Sequence, residues 1–92
     1  MFDFDLSDEL KFIIERLVRK DKKRVEILNK KIKEIIDNDN QTIDRYYNCR
    51  YDLKEYKHTH IDKSFVVLFK VDKNRNFILF DKFGHHDAFF KK

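Results

Sequence analysis

The alternation of apolar and polar positions changes period twice along this chain, and the changes divide it into elements. Phe2-Asp3-Phe4-Asp5-Leu6 repeats with period two, the pattern of a short strand or extended arm with one buried face. Ser7 follows as a helix N-cap, with Asp8 and Glu9 in a first turn where the helix dipole favours acids. Leu10, Ile13, Ile14 and Leu17 then recur at helical spacing up to Arg19 and Lys20. Asp21 caps a second helix, in which Val25, Leu28, Ile32, Ile35 and Ile36 share one face and Lys22, Lys23, Lys30, Lys31 and Lys33 the other. Two such helices in succession form a hairpin. Asn38 to Thr42 is polar and aperiodic, so the chain leaves the helix there and runs through a linking segment to Cys49.

From Tyr51 the pattern changes to that of strands. Tyr56, His58 and His60 alternate against Lys57, Thr59 and Ile61, which turns the two histidines to the same face. Asp62-Lys63-Ser64 has hairpin length, and Phe65 to Val71 is apolar on both faces, as suits the centre of a sheet. Asp72 to Asn76 is a second turn, after which Phe77 to Phe80 returns as a further strand before Gly84. The predicted fold is therefore α+β: an N-terminal strand, a two-helix hairpin and a three-stranded antiparallel meander, with the helices on one face of the sheet. Gly84 is the only glycine in a chain without proline, which predicts a strand-ending bend that positions His85 and His86.

Composition bounds this picture without changing it. At 92 residues, with ten Phe and four Tyr to fill a core, the chain is expected to form one domain over 1–92. The lone Cys49 cannot pair within the chain, and no charged-then-apolar leader opens the sequence, so a reducing cytoplasmic setting is expected. The longest apolar run, Phe65 to Phe69, is far short of the roughly 20 residues of a membrane helix. Twenty-one Lys and Arg against seventeen Asp and Glu leave a net charge of +4, which favours polyanionic partners. Lysine-rich surfaces are common enough that charge alone does not decide it.

The candidate chemistry lies in four histidines, paired as His58/His60 and His85/His86, which the sheet brings close if their strands flank the core strand. Imidazole, with an unperturbed pKa of about 6.5, serves as base or acid near neutrality. Metal-free RNA cleavage needs those two roles: a base for the 2′-hydroxyl proton, an acid for the 5′-oxygen, and cations against the phosphate. Lys54, Lys57, Lys63 and Lys82 are near enough in sequence to track phosphates. Of Phe89 and Phe90, one suits a hydrophobic plug and the other a base-stacking surface. A metal site is the rival reading, with His58, His60, His86 and Asp87 as ligands, but their spacing is unspecific and Cys49 has no partner cysteine. Neither serine, Ser7 or Ser64, lies in a nucleophile elbow, and a single glycine makes no phosphate-cradling loop. HD-type phosphohydrolases are larger and all-helical, unlike this β-rich chain.

The run from Tyr51 through His58-Thr59-His60 to Val71, with Phe77-Ile78-Leu79-Phe80 and Gly84-His85-His86-Asp87-Ala88-Phe89-Phe90, resembles the C-terminal sheet of the RelE/ParE toxin superfamily, most closely its His-bearing YafQ-like branch. The element order extends the resemblance over nearly the whole chain, though only the last 42 residues carry specific motifs. The resemblance implies the toxin of a toxin–antitoxin pair, a ribosome-dependent endoribonuclease that cuts mRNA in the A site by 2′-hydroxyl attack, leaving a cyclic phosphate, without metal or other cofactor. It implies His60, His86 and Phe90 as catalytic residues, with Asp62 as the hairpin acid if the register shifts; His58 and His85, with Lys54, Lys57 and Lys63 nearby in sequence, are expected as RNA contacts. His86 is expected as the acid and His60 as base or phosphate stabiliser. The implied partners are an antitoxin, in a hetero-oligomer, and the ribosome with its mRNA, with no membrane.

Two positions depart from the branch. Tyr47 stands where it has a loop histidine, and Ser64 aligns with its hairpin acid, Asp62 lying two residues earlier. A ParE-like or degenerate toxin that acts by protein binding is the alternative, and a structural RNA-binding module a third.

Overall fold

In the computed structural model, which describes residues 1–90, both predicted N-caps operate. Ser7 Oγ accepts the Leu10 amide at 3.0 Å and Asp21 Oδ1 the Arg24 amide at 3.1 Å. They start α1 (Asp8–Lys20) and α2 (Lys22–Ile36), which follow the strand β1 (Asp3–Leu6). Two short 3₁₀ turns, Thr42–Arg45 and Tyr51–Leu53, lead to β2 (Lys57–His60), β3 (Phe65–Asp72), β4 (Phe77–His85) and a last short helix, α3 (His86–Phe90). No helix among the described residues is long and apolar enough to cross a membrane.

The architecture is α+β, with sheet order β1-β4-β3-β2. β2, β3 and β4 form the antiparallel meander, and β3 is central. β1 pairs with β4 in parallel, from Asp3 opposite Phe77 to Leu6 opposite Phe80. The helix hairpin carries the chain from β1 across to β2 at the opposite edge, and β3 and β4 then return it to lie beside β1.

β3 is apolar on both faces because both are covered. On one, Val67 and Phe69 join Leu10, Leu28, Ile32, Ile35, Ile78 and Phe80 in the main core under the helices. On the other, Val66 and Leu68 pack with Cys49, Leu53, Tyr56 and Phe89. Each fully buried side chain of this size contributes roughly 1.5–3 kcal/mol through removal from water. The second cluster fixes the loop before β2 and α3 to the sheet, and both carry candidate site residues.

Two local expectations are corrected, and one element is new. The strand expected from Tyr51 begins only at Lys57, because residues 51–53 turn so that Leu53 and Tyr56 cover Val66 and Leu68. The last strand runs on to His85, so Gly84 does not end it; it lies opposite Val66 and has no positive φ. Gly84 lies beneath Phe89, where a Cβ would stand at contact distance, 3.4 Å from Phe89 Cε2. Finally, residues 86–90 are helical. A register shift at Leu68/Phe69 hides the strand's extension, because Leu68 faces Lys82 while Phe69 faces Phe80, and Asp81 breaks the alternation.

The β2–β3 hairpin is held by Asp62. Its Oδ1 accepts the amides of Ser64 and Phe65, both at 2.9 Å, and its Oδ2 accepts Arg24 Nε at 3.2 Å. The Arg24 guanidinium in turn lies 3.9 Å above the Phe65 ring centroid. Burial pushes the Asp62 carboxyl up, but the two amides and Arg24 outweigh it and hold the group below its usual range. Asp62→Ala is expected to lower stability by about 1–2 kcal/mol in urea denaturation, with Asp62→Asn recovering part of the loss. That contribution is present above the ordinary carboxyl pKa of 3.8 and disappears as pH falls through the depressed value.

Candidate active site

The site is built where β2, the loop before it and α3 meet. Alternation along β2 sends His58 and His60 to the face away from the helices, opposite Leu68 and Val66. At the end of β4 the His86 amide donates to Ser64 O at 2.8 Å, which ties the start of α3 to the β2–β3 hairpin. The His60 and His86 ring centroids come within 6.2 Å of each other as a result. One helical turn after His86, Phe90 reaches the His58 ring at 5.1 Å, while Phe89 sits under α3 against Gly84. Phe89 is half-buried, in the place of the hydrophobic plug, and Phe90 is 38% exposed.

Between α3 and the loop lies an open cleft of about 760 Å³, lined by Tyr47, Arg50, Tyr51, His58, His60 and Phe90 among others. His86 stands beside it, across His60.

The histidines are not equivalent. His58 is half-buried, its Nδ1 3.5 Å from Cys49 Sγ. Burial pushes the thiol pKa up, which favours its protonated form. Burial and then the neighbouring His60 push the His58 pKa down, against a hydrogen bond with the Tyr47 backbone. His86 Nδ1 lies 3.0 Å from Asp87 Oδ1, a contact that orients the ring and leaves Nε2 for chemistry. The Asp87 amide donates to His85 Nδ1 at 3.1 Å, and the His85 ring stacks on His86 at 4.8 Å.

Because the folded His58 pKa lies below 6.5, the unfolded chain binds the extra proton between the two values. Stability is thus fully present above 6.5 and declines as pH falls through the folded value. Urea melts at about pH 7.5 and 5.5 are expected to show this decline in the wild type and a smaller one in His58→Gln.

Other expected site residues are not brought together. The Asp62 carboxylate is engaged by the hairpin amides and Arg24 rather than by the histidines. Lys57 alternates to the opposite face, where its Nζ donates to Tyr46 O at 2.9 Å and Asn48 Oδ1 at 3.2 Å and pairs with Asp44 at 3.5 Å. Lys82 reaches Glu9 at 3.5 Å. Lys54 is exposed after the second 3₁₀ turn and does not line the cleft. Lys63 is exposed at the hairpin tip, next to Ser64. Arg50, which sequence reading passed over, lines the cleft instead. Its flanking tyrosines, Tyr47 and Tyr51, were the available signal, an aromatic and basic interleaving.

Among the described residues, His85, His86 and Asp87 place one donor atom each within 4.8 Å of one another. His58 and His60, the other residues of the metal reading, do not join that group.

The fold is that of the RelE/YafQ toxins. A metal-bound toxin from Helicobacter pylori superposes with a TM-score of 0.77 at 16% identity, covering 98% of this chain and 100% of its own. YafQ in the Escherichia coli DinJ–YafQ complex gives 0.74 at 16% identity, with 98% and 99% covered. No protein-family model matches. A Methanocaldococcus jannaschii protein named "Putative toxin RelE4" is 38% identical over 92 residues, all of this chain and 94% of that one. The chain belongs to the RelE toxin family, and it shares the fold of YafQ.

Proposed function

We propose that this protein is the toxin of a toxin–antitoxin pair and cleaves translated mRNA in the ribosomal A site. The observation that carries the reading is the pairing of His60 with His86, 6.2 Å apart by ring centroid, beside an open cleft with Phe90 on its wall. A phosphodiester lying across both rings comes within hydrogen-bond reach, roughly 2.6–3.2 Å, of a nitrogen on each. His60 accepts the 2′-hydroxyl proton as the 2′-oxygen attacks phosphorus. The bond from phosphorus to the 5′-oxygen breaks, and His86, oriented by Asp87, protonates the leaving oxygen. The products are a 2′,3′-cyclic phosphate and a 5′-hydroxyl. Phe90 and the exposed His85 and Lys63 hold the RNA, and two imidazoles complete the proton transfers without a metal.

An antitoxin partner is supported by the similar fold of YafQ, which is held in a complex with DinJ. The net charge of +4 suits both an acidic protein segment and the ribosome. Induction in growing cells tests the reading. Translated messages are expected to gain new 5′ ends bearing hydroxyls, and co-expression of an acidic partner encoded next to the gene is expected to remove them. Growth arrest without new 5′ ends would instead indicate a toxin that acts by protein binding.

A further inference from the structure

The loop that closes the cleft opposite α3 presents two aromatic rings to solvent and holds one of them in an unfavourable backbone conformation. Tyr47 is 77% exposed and Tyr51 86% exposed, with the exposed Arg50 between them in sequence, and all three line the cleft. Tyr51 has φ 58°, a region that bulky side chains rarely occupy. Only Asn76 shares a positive φ among the described residues; it is an asparagine in the β3–β4 turn, where that geometry is ordinary. No comparable local reason applies to tyrosine at 51. The surrounding chain enforces the conformation: Lys54 N donates to Tyr51 O at 3.1 Å, Asn48 Nδ2 to Lys54 O at 2.9 Å and Cys49 N to Tyr56 O at 2.8 Å. Cys49 and Leu53, on either side of Tyr51, are anchored in the cluster on Val66 and Leu68.

A large apolar ring held outside any core, on a firmly anchored turn facing a histidine-lined cleft, matches the requirements of a stacking surface. We infer that Tyr51, with Tyr47 and Arg50, forms a nucleobase-binding wall facing Phe90 across the cleft, which takes the base of a single-stranded ribonucleotide next to the scissile phosphate. The inference rests on the RNA-cleaving reading above and extends it from proton transfer to substrate recognition. Rings on both walls sandwich a base, every base offers a π-face, and an arginine beside them meets either the base plane or the flanking phosphate. The cleft volume, about 760 Å³, lies within the range of roughly 300–1,000 Å³ typical of small-molecule sites and admits a nucleotide. Held here, the base sets its ribose and phosphate beside His60 and His86.

The test uses the absence of tryptophan from the chain. Tyr51→Trp creates a single indole reporter, titrated with a short single-stranded oligoribonucleotide whose riboses are 2′-O-methylated and so cannot be cut. The expected result is quenching on binding, with affinity falling about tenfold or more for the same backbone carrying abasic sites. In the otherwise unmodified protein, Tyr51→Gly is expected to lose this preference for bases while its melting temperature does not fall, since glycine accepts positive φ freely. Equal binding of normal and abasic strands, no quenching at millimolar oligonucleotide, or an unchanged preference in Tyr51→Gly would each overturn the inference. Because the probe cannot be cleaved, these outcomes are separate from the catalytic reading, which fails if His60→Ala and His86→Ala still cut RNA.

Discussion

His86→Ala is expected to reduce RNA cleavage by about 10²–10⁴-fold, the usual contribution of a positioned general acid or base. His60→Ala should fall in the same range, and the double variant should be little worse than either alone, because two groups that act in one concerted proton transfer are not additive. Single-turnover cleavage on programmed ribosomes measures the effect. Protein stability should barely change, since His60 is exposed, His86 is only half-buried, and the amide that joins residue 86 to Ser64 O at 2.8 Å survives the substitution. That separation distinguishes a chemical role from a structural one. Asp62→Ala should do the reverse, lowering the melting temperature while leaving the pH dependence of cleavage intact. A His86→Ala protein that cuts as well as the wild type would remove His86 from the mechanism.

The second large effect concerns the fold. Phe69→Ala should destabilise the protein by about 3–5 kcal/mol, the cost of removing a buried aromatic side chain and leaving a cavity. Phe69 is fully buried in the central strand, with the rings of Tyr46 at 5.7 Å edge-on and Phe80 at 5.5 Å. Both neighbours are tied elsewhere, Tyr46 by its hydroxyl to Glu34 at 2.5 Å and Phe80 by pairing with Leu6, so neither can collapse into the space. For a domain of about this size each 1 kcal/mol shifts the melting temperature by roughly 4–8 °C, so calorimetry should find a fall of tens of degrees. A fall under about 5 °C would mean the cavity refills.

Features governed by short-range periodicity and caps were readable from sequence. Ser7 and Asp21 start the helices they were expected to start, Phe65 to Val71 lies within the central strand, and His58 and His60 share a face. Where the sequence misled, the deciding contacts were non-local. The parallel pairing of β1 with β4 depends on residues more than seventy apart, as in Asp3 with Phe77. Residues 51–53 abandon strand geometry to cover Leu68, and the register shift beside Phe69 conceals that β4 continues to His85. In the site, residue type and alternation brought out the histidines, but spacing could not tell where a flexible side chain ends. Asp62 and Lys57 were in suitable sequence positions, yet their charged ends are held by Arg24 and Asp44. Arg50 and Tyr51 lie outside the α-helices and strands, and only the folded loop brings them to the histidines.

The loop at 47–49 has one more consequence. β2 is an outer strand, and the start of its outward backbone is occupied, because His58 N donates to Tyr47 O at 3.0 Å and, just before the strand, Cys49 N donates to Tyr56 O at 2.8 Å. An open strand edge is the usual template for chain-to-chain pairing and aggregation. Here the start of that edge is covered by the segment that carries Tyr47, and the far side of the sheet is four-residue β1, with Asp3 and Asp5. Deleting or loosening residues 47–49 would thus do more than reshape a cleft: it would lengthen the unpaired edge of β2 and make the protein more prone to assemble with itself.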